Sequence, residues 1–348
     1  MKRITIAFMT ISLICGAFGA AWADVKGAVT SQTRDIILVA EIAEAQQNDT
    51  PVKVMDTAEG LNVTELSKNE IAVTLTADKP DGQYRIGDKI VLSVTSETDG
   101  YLTLLDFTPS GQIVVLFPNA WVEDNQVKAG ETITIPMDDK QYALRAGGPV
   151  GVDVVKAIVA DKPIQVYDEA NKDVVGPFSL LRDPMAATRD ILLVAAEQSA
   201  GDSGADGDVK WGVASFAVMT NEVDGEGPTG FAFAKKDDWQ TKMWANRNNL
   251  LIGERVFVKF LSNKPGKLIS LVNVGASSKE NNLLPEGTDI SFQAGEILIL
   301  PRPDDKWKLV AAEDAGPDFI KAKLMMEDES TAELDLSLEL VVINDLEG

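Results

Sequence analysis

Short apolar runs, separated by turn residues at intervals of about 8–12 residues, follow one another along the chain, a pattern typical of β-structure. The runs at 101–107 (YLTLLDF) and 113–117 (IVVLF) are apolar nearly throughout, as in strands that are buried on both faces. Between them, Thr108-Pro109-Ser110-Gly111 supplies a proline that presets φ and a glycine that tolerates positive φ. The pattern predicts a central hairpin in a sandwich core.

The same frame occurs twice. Residues 86–106 align without a gap to residues 252–272, with six of 21 positions identical. Downstream, AGETITIP at 129–136 matches AGEILILP at 294–301 at four of eight positions. Matched segments in a fixed order predict two copies of one fold, with Gly100 equivalent to Gly266 and Pro136 to Pro301.

A third match precedes each copy. TRDIILVA at 33–40 and TRDILLVA at 188–195 agree at seven of eight positions. Such a segment is either the leading strand of the following unit or the closing strand of the preceding one, and only the leading role is open to residues 33–40. A short helix over 36–47 also stays open, because a short apolar run does not separate helix from strand.

Three further segments complete the secondary-structure prediction. Residues 150–164 form a last strand, or a helix followed by a strand, and residues 332–344 alternate cleanly enough to predict a C-terminal strand. The best helix candidate lies at 234–249, just before the second copy. The predicted fold is therefore mainly β, with two tandem β-sandwich-like domains from an internal duplication and few short helices.

These signals divide the chain into four parts. We predict a signal peptide at 1–23, a lead segment at 24–69, a first β domain at 70–182, and a second at 183–348 with an inserted loop and helix at 199–249.

The first residues predict export. Lys2-Arg3 precedes a largely apolar stretch at 4–21, and Ala21-Trp22-Ala23 has small residues at both positions that a signal peptidase reads. Cleavage after Ala23 would give an exported protein, periplasmic or secreted. Cys15 could anchor a lipoprotein instead, but it follows the bulky Ile14, where such signals have a small residue.

Charge excludes some partners. Without Lys2 and Arg3 the chain has 30 basic and 54 acidic residues, a net charge of −24. Such a chain repels nucleic acid, whose binding requires basic residues that neutralise phosphates. After the signal, no segment approaches the roughly 18 uninterrupted apolar residues of a membrane-spanning helix, so we expect no transmembrane segment in the mature chain.

The residue types limit the chemistry. The chain has no histidine, and its one cysteine is Cys15, which excludes histidine-dependent triads, thiol nucleophiles and zinc sites built on either residue. No glycine-rich phosphate-binding motif is present. Catalysis by a Ser–Lys pair or by a pair of carboxylates stays possible. In a chain with 54 acidic residues, however, some carboxylates lie close together by chance, so such a pair is not evidence of catalysis. We therefore expect a non-enzymatic protein without a cofactor.

One loop raises the question of calcium. Asp202, Asp206 and Asp208 lie in the Gly/Ser-rich segment SAGDSGADGD at 199–208. Oxygen ligands of this kind suit Ca²⁺. The spacing of a dedicated calcium loop is missing, however, which favours a solvated acidic turn.

The segment at 234–249 offers a candidate partner site. Trp239 and Met243 would share one face of a helix, with Trp244 about 100° further round, and Lys235 and Lys236 add a basic edge. These side chains pack into the core in one interpretation, which we favour because large exposed apolar patches are uncommon. In the other they anchor a partner.

Four other aromatic residues fall inside the strand pattern. Tyr101, Phe107, Phe117 and Trp121 are interpreted as core residues for that reason.

The first copy resembles the domain of unknown function family 4384. The motifs that carry the resemblance lie in residues 84–164 and are Tyr84, Gly87-Asp88, Gly100-Tyr101-Leu102, Pro109 to Gly111, Leu116 to Asn119, Asn125 to Gly130, Pro136, Gly148-Pro149 and Lys156 to Val159. The second copy, at 250–326, is degenerate, because LFPN becomes LLPE at 283–286 and the tyrosine of GYL becomes Lys267. The resemblance implies a β-rich accessory domain of bacterial proteins, sometimes attached to caspase-like peptidases or kinases, with no known catalytic residues.

The sequence thus favours an exported, non-enzymatic β-rich protein that acts as an interaction or envelope-assembly module. Its partner would be an unknown protein or a second copy of itself. The alternative is a ligand-binding or carboxylate-dependent hydrolytic module that acts on envelope glycans. A cleft with two facing carboxylates would favour the alternative, whereas a flat apolar patch or a free strand edge would favour the first function.

Overall fold

The computed structural model describes residues 36–40, 70–137, 142–163, 172–182, 209–222, 230–247, 249–275, 280–302, 305–311, 316–326 and 333–343. Every regular secondary-structure element within these ranges is a β-strand, which confirms the mainly-β class. Within these residues no helix has the length and hydrophobicity needed to cross a bilayer.

The strands are numbered in chain order, and β1 (Ile36–Ala40) precedes the first copy. Copy one contains β2 (Val73–Ala77), β3 (Gln83–Arg85), β4 (Lys89–Ile90), β5 (Leu92–Ser96), β6 (Gly100–Phe107), β7 (Ile113–Phe117), β8 (Gln126–Val127), β9 (Thr132–Ile135), β10 (Leu144–Arg145), β11 (Gly151–Ala160), β12 (Lys172–Val175), β13 (Phe178–Leu181) and β14 (Trp211–Asn221). Copy two contains β15 (Phe231–Lys236), β16 (Trp239–Ala245), β17 (Asn249–Leu251), β18 (Arg255–Val256), β19 (Val258–Ser262), β20 (Gly266–Val274), β21 (Glu280–Asn282), β22 (Ile290–Phe292), β23 (Ile297–Leu300), β24 (Trp307–Ala311), β25 (Gly316–Met326) and β26 (Glu333–Ile343).

Each copy has two larger sheets. The outer sheet of copy one has the order β2-β5-β9, and its inner sheet has the order β12-β13-β7-β6-β11-β14-β3, with β8 added to β6. The inner sheet of copy two has the order β15-β16-β19-β23, and its outer sheet has the order β17-β26-β25-β20-β21, with β22 added to β20. Two small sheets, β10-β4 and β1-β24-β18, complete the described pairing.

The strand order confirms the duplication. The sheet β2-β5-β9 corresponds to β16-β19-β23, and the run β7-β6-β11-β14-β3 corresponds to β21-β20-β25-β26-β17. In both runs the last pairing is parallel. Gly100 and Gly266 begin equivalent strands, and Pro136 and Pro301 directly follow equivalent strands, as the sequence predicts.

Matched side chains make the same contacts in both copies. Ser96 donates a hydrogen bond from Oγ to the carbonyl oxygen of Thr98 at 2.8 Å. Its counterpart Ser262 donates to the carbonyl oxygen of Lys264 at the same distance. Because each serine closes the turn before the central strand, these identical positions preserve the geometry that connects one sheet to the next.

The matched glycines are conserved between the copies for close packing. A Cβ at Gly100 would lie 2.6 Å from the carbonyl oxygen of Ala160, and one at Gly266 would lie 2.7 Å from that of Met325. Both oxygens belong to the equivalent neighbouring strands, β11 and β25. A larger residue at either position would push the central strand away from its neighbour.

The closing strand of copy one lies beyond the predicted end of the first domain at residue 182. β14 pairs with all ten residues of β11 and runs parallel to β3, as β26 does with β25 and β17. Residues 211–221 therefore complete the inner sheet of copy one. The C-terminal strand predicted at 332–344 is confirmed as β26, and the segment left open at 150–164 contains the strand β11.

The helix predicted at 234–249 is wrong, because this segment contains the second half of β15, all of β16 and the start of β17. Six of the seven residues of β16 are buried, so apolar residues occupy both faces and the alternation of a strand is hidden. Likewise, the segment that could have begun a helix at 36 forms the strand β1 at 36–40.

Three hydrophobic cores fill the spaces between successive sheets. The two sheets of copy one enclose a core that includes Leu75, Leu92, Leu102, Leu104, Val155 and Val159. The two sheets of copy two enclose a core that includes Met243, Phe260, Leu268, Leu298, Ile320 and Leu340. A third core joins the two inner sheets and includes Leu105, Val154, Ile158, Ala217, Phe231, Trp244, Leu261 and Ile297. Each inner sheet is thus covered on both faces, which explains its nearly continuous apolar strands.

Two buried lysines accompany this shared core. Lys242 of copy two donates a hydrogen bond from Nζ to the carbonyl oxygen of Ala217 in copy one, at 2.8 Å. The same Nζ lies 3.3 Å from the ring centroid of Phe216, and burial holds the pKa of Lys242 well below its usual value. Lys156 is 2% exposed and donates to Oγ of Ser215 at 3.2 Å. Burial lowers the pKa of Lys156 to about 8.

Replacement of Lys156 by Met should stabilise the fold at neutral pH. The pKa of an unfolded lysine is about 10.4, so between about pH 8 and pH 10.4 the unfolded chain binds more protons and the free energy of unfolding rises with pH. Below pH 8 the cost of the buried charge is fully present. We expect Lys156→Met to raise the free energy of unfolding by about 2–3 kcal/mol at pH 7 and by much less at pH 10.5. Denaturant titrations at both pH values measure this, with the exposed Lys236→Met as control. An equal effect at both pH values would contradict the prediction.

Replacement of Gly212 by Ala should destabilise copy one. A Cβ at this position of β14 would overlap the carbonyl oxygen of Ile71 and lie 3.1 Å from Cγ2 of Val73. Overpacking of this kind costs about 1–3 kcal/mol. Gly147→Ala is the matched control, because a Cβ there meets nothing within 4 Å. Equal free energies of unfolding for the two variants would show that β14 does not pack beside residues 71–73.

Candidate functional site

The loop after β7 is closed by one amide side chain. Asn119 is 7% exposed, and its Nδ2 donates to the carbonyl oxygen of Leu116 at 2.9 Å and to the hydroxyl of Tyr142 at 3.1 Å. Its Oδ1 accepts from the main-chain N–H groups of Trp121 and Val122 at 3.0 and 3.2 Å. The last residue of the LFPN motif therefore holds the backbone of this loop in place.

The loop presents a tryptophan to solvent. Trp121 is 45% exposed, and its ring meets the ring of Tyr142 edge-on, with centroids 5.4 Å apart. Tyr142 in turn meets Phe178 of β13 edge-on at 5.7 Å. The interpretation of Trp121 as a core residue is wrong, because the residue lies four positions beyond the end of β7, in the loop that Asn119 closes.

The other three aromatic residues of the strand pattern differ in burial. Phe107 and Phe117 are each 1% exposed, which confirms their place in the core. Tyr101 is partly exposed.

A hairpin that sequence reasoning missed lies beside the loop. The main-chain N–H of Ala120 donates to the carbonyl oxygen of Pro177 at 3.0 Å, which joins the loop to the turn between β12 and β13. β13 pairs with β7, whereas β12 is the outermost strand of the inner sheet. Val174 and Val175 of β12 are 70% and 57% exposed. Val175 is opposite Phe178 across this strand pair, whereas the side chain of Val174 points to the other face of β12. We call Trp121, Tyr142, Phe178 and Val175 the aromatic patch.

The aromatic patch combines two features that suit binding. Its side chains are apolar, and β12 pairs through one edge only in the described part of the chain. Unpaired edge N–H and C=O groups can pair with an added strand, and an exposed tryptophan held by its neighbours can act as an anchor. On the same hairpin, Arg182 and Asp173 form a salt bridge at 2.7 Å, so their charges compensate each other.

Copy two lacks this arrangement. At the positions of LFPN it has LLPE, and there Leu283 and Leu284 are 0% and 8% exposed. Its outermost strand on this side is β21, and among the described residues no hairpin pairs with it. The aromatic patch is therefore a feature of copy one, in which the motif ends in Asn119.

The predicted partner site at 234–249 lies largely in the core. Trp239, Met243 and Trp244 are 1%, 0% and 1% exposed. Trp239 and Met243 face the core of copy two, and Trp244 faces the core between the copies. These three side chains are not available as a surface anchor, because β16 is covered by a sheet on each face.

The basic residues around that segment do not form one cluster. Lys235 and Lys236 are exposed at the end of β15. Lys242 is buried against copy one, and Arg247 contacts the carboxylate of Glu254 at 3.3 Å. A binding role for Lys235 and Lys236 stays a prediction.

The calcium hypothesis concerns Asp202, Asp206 and Asp208, which lie outside the described residues. Elsewhere, the ranges that the structure describes contain no group of three acidic residues placed to hold a metal ion.

One carboxyl group has an unusual environment. Burial raises the pKa of Asp106 to about 7, and its Oδ1 is buried without a hydrogen-bond partner. Its cross-strand neighbours are Val155 and Val114. A raised pKa suits a general acid, but a catalytic acid must reach its substrate, and this oxygen lies within the sheet packing. Asp106 is best explained as a partly buried strand residue whose carboxyl group holds its proton to a higher pH than an exposed one, because its Oδ1 is desolvated.

Comparison with solved structures gives weak matches. The chain resembles the fibronectin(III)-like modules of Clostridium thermocellum CbhA, with 11% identity, a TM-score of 0.18, and coverage of 79% of this chain and 97% of that one. It also resembles Escherichia coli alpha-2-macroglobulin, with 15% identity, a TM-score of 0.20, and coverage of 78% of this chain and 23% of that one. These TM-scores are too low to support an argument about fold or function.

Sequence comparison is more specific. No curated protein matches this chain. Residues 83–163 match the model of the family described as Domain of unknown function (DUF4384), which confirms for copy one the resemblance that its motifs indicate.

Proposed function

We propose that this protein is an exported, non-enzymatic module that binds a protein partner in the bacterial envelope through the aromatic patch of copy one. The observation that carries the proposal is the 45% exposure of Trp121 beside an outermost strand whose Val174 and Val175 are 70% and 57% exposed. Export is proposed from the basic start, apolar stretch and Ala21-Trp22-Ala23 site at residues 1–23.

The patch is rigid as well as exposed. Asn119 makes four hydrogen bonds that fix the loop, and the bond from Ala120 to Pro177 fixes the loop against the hairpin. A site that is already ordered loses little conformational entropy when it binds, which favours affinity. These polar contacts leave Trp121 projecting instead of folding back into the core.

The duplication supports the same site. The fold of each copy requires the strands that both copies share, and the β12–β13 hairpin is an addition to that shared set among the described strands. An added element that displays apolar side chains is a reasonable place for acquired function, since binding residues concentrate on segments that a rigid scaffold positions.

Substitution of Trp121 by Ala should separate binding from stability. The side chain is half exposed, so we expect a loss of about 1 kcal/mol or less, chiefly from the edge-on contact with Tyr142. Capture of the envelope partner should fall sharply. Ile269→Ala is the matched control, because Ile269 is 47% exposed on copy two, and it should leave capture unchanged.

The measurement uses an aromatic photocrosslinking residue in place of Trp121, which keeps an aromatic ring at the anchor position, or the same residue in place of Ile269. Mass spectrometry then identifies the products from the envelope. A discrete protein adduct at 121, absent at 269 and weakened by Val174→Lys, is the expected result, because a charged residue on an edge strand disfavours strand addition. Equal adducts at the two positions would contradict the proposal. A glycan adduct confined to 121 would support the alternative, glycan-binding function.

A further inference from the structure

The N-terminal strand pairs with the distant copy. β1 lies antiparallel to β24 over all five residues, from Ile36 opposite Ala311 to Ala40 opposite Trp307. In sequence, 29 residues separate β1 from residue 70, where the description of copy one begins. The strand that precedes copy one therefore completes a sheet of copy two.

β24 depends on β1 for most of its main-chain pairing. On its other side, β18 pairs at Arg255 opposite Val310 and Val256 opposite Leu309. The main chain of Ala311 also accepts a hydrogen bond from the N–H of Gly253 and donates one to the carbonyl oxygen of Glu254. The core-facing residues of β24, Trp307, Leu309 and Ala311, are 8%, 0% and 1% exposed. β24 is thus held in place by its own side chains, and without β1 it would present a free edge five residues long, which is a template for an added strand.

The tether of β1 is long. A chain of 29 residues can span at most about 100 Å, so it does not by itself restrict β1 to the β24 of the same molecule. Main-chain hydrogen bonding between strands requires an extended backbone in the correct register. A second copy of the chain provides the same strand with the same register. Exchange of an identical element between protomers is an established low-cost route to dimers.

We propose that the edge of β24 is a strand-acceptor site, and that residues 36–40 of a second copy of this chain can fill it to give a strand-exchanged dimer. The site is independent of the aromatic patch. In the monomer the chain's own β1 fills the acceptor site. Monomer and dimer therefore contain the same strand contacts, and they differ only in whether β1 and β24 belong to the same chain. Concentration then sets their ratio.

Cysteine pairs placed on the observed register test this proposal in the full chain. All variants carry Cys15→Ser, which removes the one native cysteine. Val39→Cys in one chain and Lys308→Cys in another occupy opposed positions of β1 and β24. When the two chains are mixed at high concentration and oxidised, we expect a disulfide-linked heterodimer at twice the 37.4 kDa of one chain.

Two comparisons decide the outcome. A mixture of Val39→Cys with Ile269→Cys is the control, since Ile269 is exposed on β20 and is not opposed to β1. A chain carrying both Val39→Cys and Lys308→Cys should form an internal disulfide at low concentration. If that chain closes but the mixture gives no more heterodimer than the control, strand exchange is excluded. If it does not close, the acceptor site itself is excluded.

Discussion

The packing of the two inner sheets against each other is the constraint on which the rest of this structure depends. Leu105 and Ile158 of copy one share a core with Trp244 and Leu261 of copy two. The inner sheet of each copy therefore buries one face against the outer sheet of the same copy and its other face against the inner sheet of the other copy. This arrangement favours apolar residues on both faces of the inner strands, and it desolvates the polar side chains that point into the shared core.

The buried lysines follow from that constraint. Lys242 of copy two donates to the carbonyl oxygen of Ala217 in copy one. Lys156 lies on the face of β11 that also carries Val154 and Ile158 of the shared core, and it donates to Ser215. Burial disfavours the charged form of both side chains. A hydrophobic residue of similar length would suit such a position better for stability alone, so specificity in the way the copies meet is a physical reason to retain a polar contact there.

Much of the fold could be predicted from the sequence. The hairpin of β6 and β7 was visible because a Pro-Gly turn separates two apolar runs, and the duplication was visible because Ser96 and Gly100 recur in the same spacing as Ser262 and Gly266. Each of these signals is local. They identify strands and repeats without the need to know which sheet covers them.

The remaining features depend on non-local packing. β16 was predicted as a helix because both of its faces are apolar, which removes the period-two signal. The pairing of β14 with β11 joins segments about 50 residues apart, and no local pattern announces it. Trp121 was assigned to the core because it was counted within the strand pattern, whereas Asn119, visible only as part of a family motif, holds the loop that exposes it.

The position of β14 determines how this protein can be divided for laboratory work. A fragment cut at the limits of the family match, 83–163, would lose β14 and leave the ten main-chain positions of β11 without a neighbour on that side. Most of those positions carry buried apolar side chains, and a long apolar edge of this kind promotes aggregation. Recombinant versions of copy one therefore need to extend from about residue 70 to residue 221. A shorter piece would expose both the free edge of β11 and the face of the inner sheet that copy two covers.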